Sequence, residues 1–124
     1  MRRGLITGFA GWAVAFVLFR LWGHVLLGSP AAVQLTFLLG GVVTALLAGL
    51  LCRLVCQPGK VARFAAGLVI PGLLLDSACV LAFEAVFPTM PVALAAIFGA
   101  LMLWGYGLIL ATILLVGDRL VERA

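Results

Sequence analysis

Charge is what this chain has least of. Only 10% of its 124 residues are Asp, Glu, Lys or Arg, with four acidic residues against eight basic ones. An ordinary soluble domain carries about 25%, so that class is excluded. The single histidine rules out bis-histidine haem ligation within one chain. Three cysteines, Cys52, Cys56 and Cys79, include no CxxC pair. Cys52 and Cys56, four residues apart at a helix end, read as small apolar packing residues rather than a metal pair. No glycine-rich phosphate loop follows a strand pattern and no Ser/His/Asp set is evident, so the motifs point away from an enzyme. No cofactor and no metal are expected.

What the chain has instead is apolar length. Hydrophobic residues make up 66% of it, and the mean hydropathy is +1.35. Its uncharged runs are too long for buried core helices and match the roughly 20 residues that a spanning helix needs. Four spans fit, over about 5–27, 31–52, 64–86 and 91–116, in one four-helix transmembrane domain of residues 1–124. Gly28-Ser29-Pro30, Gln57-Pro58-Gly59-Lys60 and Phe87-Pro88-Thr89-Met90-Pro91 mark the turns between them. The expected fold is all-α, a polytopic bundle of four transmembrane helices in contact with the lipid bilayer. Met1-Arg2-Arg3 before an apolar run imitates a signal peptide, but the run continues to Phe19 and reads as a retained anchor.

The basic residues act as topology signals rather than as a nucleic-acid face. Arg2 and Arg3 precede span one, Arg53, Lys60 and Arg63 lie between spans two and three, and Arg119 and Arg123 follow span four. The other two turns have none. The positive-inside rule therefore places both termini and the middle loop in the cytoplasm, with the Ser29 and Pro88 turns outside. The arginine-rich, lysine-poor balance suits a bacterial inner membrane protein.

Ionisable groups at membrane depth are costly unless paired or hydrated, so the few that are present mark candidate sites. With a rise of about 1.5 Å per residue, Arg20 falls roughly 5 Å to the outer side of the midplane and Asp76 within about 2 Å of it. Thr44 and Tyr106 lie roughly 3 to 4 Å to the inner side. One residue comes from each span, and the expectation is an Arg20–Asp76 pair completed by Thr44 and Tyr106. His24, Glu84 and Gln34 form a shallower group towards the outer face, a candidate polar vestibule with Trp22 as an interfacial anchor. An internal ion pair that merely fixes helix packing predicts the same proximity.

Pro71 cannot donate a backbone hydrogen bond, and with Gly67 and Gly72 it marks a candidate kink beside Asp76. The commonness of proline and glycine in membrane helices explains the same residues without a site. Small residues give candidate contact faces: Gly4, Gly8, Gly11 and Ala15 on span one, Gly41, Ala45 and Gly49 on span two, and Ala95, Gly99 and Leu103 on span four.

Pro71-Gly72-Leu73-Leu74-Leu75-Asp76, continuing through Phe83-Glu84-Ala85-Val86-Phe87-Pro88-Thr89-Met90, resembles the third-helix signature of a small bacterial four-helix membrane family. That family is itself a domain of unknown function. The resemblance implies four spans and draws attention to Asp76 and the Phe87-Pro88 turn, and it implies no activity.

Two function classes follow. One is an oligomeric transporter or channel for a proton, cation or small polar solute that uses the Arg20 and Asp76 site. The other is a non-catalytic accessory or assembly subunit that docks through its glycine faces on a larger membrane complex. Four short helices leave little room for an enclosed path, so transport implies a homo-oligomer.

Overall fold

The structure, a computed structural model, describes residues 2–88 and 90–122. Thr89 and Arg123, used above for a turn and for topology, lie outside them. Among the described residues there is no strand, and four helices are long and apolar enough to cross a membrane. In order the elements are α1 (Arg2–Leu26), α2 (Pro30–Val55), α3 (Val61–Leu81), a single turn α4 (Phe83–Val86), a 3-10 turn (Val92–Leu94) and α5 (Ala95–Glu122), of which α1, α2, α3 and α5 are the long ones. A helix satisfies its own backbone, which is what an apolar solvent demands of a long apolar run.

The ends of these helices follow local chemistry. Ser29 caps α2, its Oγ accepting the Ala32 N–H at 3.1 Å, and Pro30 occupies the first turn, where a missing N–H costs nothing. Between α2 and α3 the Pro58-Gly59 turn needs a glycine, because Gly59 has φ +78°. Helix α3 runs through Pro71 without stopping. It ends at Leu81 rather than near Val86, since Ala82 leaves helical geometry at φ −109°, ψ 35°. That break turns Phe83 and Phe87 inward. Both are buried, and their rings lie 5.8 and 4.8 Å from that of Phe98 on α5.

The two most extensive helix contacts, α1 with α3 and α2 with α5, are not between consecutive spans. Gly4 and Gly8 of α1 face Phe64 and Leu68 of α3, and Trp12 reaches Asp76, so α1 and α3 run parallel. Gly41 and Gly49 of α2 face Trp104 and Thr112 of α5, so these two are parallel as well. Helix α3 packs antiparallel on α5, with Gly72 against Tyr106 and Val61 against Gly117. Helices α1 and α2, though joined by a tight turn, pack only lightly on each other. The order around the bundle is therefore α1, α3, α5, α2, which leaves α2 diagonal to α3.

Several of the small residues expected at contacts are there for closeness of approach. A Cβ on Gly4 would sit 2.6 Å from the Phe64 carbonyl oxygen, and one on Gly8 would overlap that of Leu68. The Gly67 carbonyl, which Pro71 cannot serve with an N–H, also faces Gly8. Gly41 makes room for the Trp104 indole, which donates to the Phe37 carbonyl at 3.0 Å. Gly49 and Gly99 have only ordinary contacts. A Cβ on Gly11 would meet nothing within 4 Å, and the residue is exposed, so it belongs to no contact within the bundle.

Two apolar clusters fill the interior. One, rich in aromatics, gathers Phe19, Leu27, Phe83, Phe87, Met90 and Phe98 towards the Ser29 end. The other, with Ala48, Cys52, Val61, Phe64, Leu68 and Ile113, lies towards the end that carries the Gln57 turn.

Candidate functional site

Asp76 is the buried charged side chain of the described residues, 8% exposed, on the face of α3 that meets both α1 and α5. Its two carboxylate oxygens take donors from two other helices. The Trp12 indole Nε1–H donates to Oδ1 at 2.8 Å, and the Tyr106 hydroxyl donates to Oδ2. Each donor is held in place by what surrounds it. Trp12 packs its ring 6.0 Å from Phe9 and 5.1 Å from Phe16, one helical turn either way. Tyr106 lies over Gly72, where any side chain would collide with the phenol. Gly72 is thus one turn before Asp76 on the same helix and leaves the space through which the hydroxyl reaches it.

Tyr106 and Asp76, expected together, meet directly. Arg20, expected to pair with Asp76, does not. It is exposed, and it stands eight residues beyond Trp12 on α1, about 12 Å further towards the Ser29 end. Direction around the helix decides the matter as much as depth. Gly4, Gly8, Trp12, Phe16, Phe19 and Gly23 share one face of α1, and at about 100° per residue Arg20 points some 90° away from its centre. Thr44 is half-buried on α2, diagonal to α3, and is not among the partners of Asp76.

The outer group does not converge either. His24, Glu84 and Gln34 are all exposed. Glu84 lines a shallow depression with Val80, Val92 and Ala95, whereas Gln34 lines another with Phe37 and Trp104, and the two share no residue. The kink expected at Gly67, Pro71 and Gly72 does not open a backbone-lined space, because Gly4 and Gly8 cover Gly67 and Tyr106 covers Gly72.

Sequence reasoning missed Trp12. The signal was available, since Trp12 continues the four-residue spacing of Gly4 and Gly8 and so lies on the face those glycines press against α3.

Chemically the site is a closed polar tie. An indole N–H can only donate, and each carboxylate oxygen takes one donor, so each of the three groups has a partner within the bundle. No group of three His, Cys, Asp or Glu side chains among the described residues is placed to hold a metal.

A family model matches residues 28–119. The chain belongs to DUF5367, a family of unknown function. Asp76, Tyr106 and Gly72 fall within the part matched by DUF5367, and Trp12 falls before it. No curated protein and no solved structure matches the chain.

Proposed function

We propose that this DUF5367 chain is a multi-pass subunit of a bacterial inner membrane, non-catalytic, with both termini cytoplasmic, which assembles with a larger membrane complex. The observation that carries this reading is the closure of Asp76 by Trp12 and Tyr106. A buried carboxylate whose oxygens both take interhelical donors fixes helix arrangement, the best-attested use of a polar group in an apolar core. The exposed Leu and Val side chains of α2, Leu35, Leu39, Val42, Leu46 and Leu50, supply a face for lipid or for a partner helix.

The test is purification from native membranes in a mild detergent. A second membrane polypeptide in fixed stoichiometry is expected, retained by wild type and reduced when Leu39, Val42 and Leu46 are changed to alanine. A monodisperse chain with no companion, before and after cross-linking, would overturn the reading.

A second reading, an oligomeric transporter or channel, is favoured by one feature: Trp12 and Tyr106 place Asp76 in a layer near the middle of α1 and α5. Purified protein in liposomes would then dissipate a proton or potassium gradient, and Asp76→Asn would abolish the flux. Absence of flux above empty liposomes would remove this reading.

A further inference from the structure

We propose that the sector of the bundle end formed by Arg3, Arg53, Lys60 and Arg63 binds the headgroup of an anionic phospholipid. The fold brings these cations together. The α1 and α3 backbones touch where Gly4 meets Phe64, which sets Arg3 and Arg63, each next in the chain to one of these residues, at the same level of the bundle end. Arg3 also donates from Nη1 to the Val55 carbonyl at 3.3 Å, which holds the start of α1 over the last turn of α2, where Arg53 sits. Lys60 directly precedes α3. All four side chains are exposed, as is Arg2 beside them.

Of the described carboxylates, Glu84 is at the opposite end and Asp76 is interior, whereas Asp118 and Glu122 share this end on α5, where Gly117 packs against Cys52 and Val61. The sector's own elements, α1, the end of α2 and the start of α3, hold its four cations and no acid, and the acids beside it come from α5 alone. Next to the cations on the same helices come apolar side chains open to the surroundings, with Ile6 61% and Leu54 70% exposed. A cluster of guanidinium groups above apolar helix faces matches a phosphodiester carried on acyl chains, and arginine binds phosphate oxygens in pairs. Basic clefts between helix ends are where headgroups of this charge are held in membrane proteins.

The inference rests on the membrane setting but not on a protein partner, so it is tested on the isolated chain. Delipidated wild type in neutral detergent is mixed with phosphatidylglycerol or phosphatidylcholine of equal chain length, and the retained lipid is read by native mass spectrometry. Phosphatidylglycerol is expected to be retained about tenfold more, and Arg3→Gln with Arg63→Gln to lose about fivefold per cation removed. Arg119→Gln, which removes a charge at the same end but outside the sector, is expected to change retention less than twofold. Equal retention of the two lipids by wild type overturns the proposal without recourse to any variant. So does a loss in Arg119→Gln as large as that in Arg63→Gln, since diffuse charge would then account for binding.

Discussion

The indole Nε1 of Trp12 lies 2.8 Å from Oδ1 of Asp76, joining α1 to α3 across 64 positions of sequence. Tyr106 engages the other oxygen from α5, so one carboxylate holds three helices. Trp12→Phe and Tyr106→Phe each leave an oxygen bare in an apolar layer. Hydrogen bonds between membrane helices average about 0.6 kcal/mol and reach about 1.7. An acceptor left unsatisfied adds to that, so each variant should lose about 1–2 kcal/mol in reversible unfolding from mixed micelles. Trp22→Phe is the control, because Trp22 is 53% exposed. Equal losses for Trp12→Phe and Trp22→Phe would show that the tie contributes nothing.

The α1–α3 contact depends on backbone proximity, and two glycines three residues apart separate that effect from helix propensity. Gly8→Leu puts a side chain into the Leu68 carbonyl and must push the helices apart, at a cost of about 3 kcal/mol or more. Gly11→Leu meets open space and should be neutral or slightly stabilising, since leucine is the better helix former. Thermal unfolding of the two variants in the same detergent reads the difference directly. Similar melting temperatures would mean that the glycines do not set the interhelical distance.

The four long helices were legible because a run of about 20 apolar residues has few alternatives. The break at Ala82 was not, because nothing at Ala82 itself opposes a helix; burial of Phe83 and Phe87 against Phe98 imposes it from outside the segment. At the site, depth alone brought Asp76 to Tyr106 and misled over Arg20. Depth says how far along a helix a residue lies, whereas contact also requires the right face, and the face of α1 was written in Gly4 and Gly8. Thr44 failed for a different reason. Sequence order does not reveal that α2 packs on α5 and lies diagonal to α3.

The three cysteines differ in access and so report on orientation. Cys52 and Cys79 are buried, while Cys56 is half-buried at the C-terminal cap of α2, its thiol 3.4 Å from the Gln57 carbonyl at the Gln57 end. The proposed topology puts that end in the cytoplasm, so a membrane-impermeant maleimide should label Cys56 in inverted vesicles and not in intact spheroplasts. Cys56→Ser should abolish nearly all labelling, because the remaining thiols are enclosed. Labelling of Cys56 from outside would invert the proposed topology while leaving the bundle unchanged.

Gly72 and Tyr106 give the sharpest test of how the site is built, because the effect of one depends on the size of the other. A Cβ at position 72 would lie 2.7 Å from both Cε1 and Cζ of the phenol ring and overlap its hydroxyl. Gly72→Ala must therefore displace Tyr106, which forfeits the bond to Asp76 as well as the packing. The expected loss is about 2–3 kcal/mol, even though alanine alone would favour the helix by about 1 kcal/mol. Tyr106→Leu loses the same bond by deletion. Once the ring is gone, Gly72→Ala has nothing to strike and should cost little more. The double variant should accordingly be less destabilised than the two single losses added together, by about 1–3 kcal/mol in a double-mutant cycle. Strict additivity would place the cost of Gly72→Ala somewhere other than the Tyr106 contact, and with it the reason for a glycine one turn before Asp76.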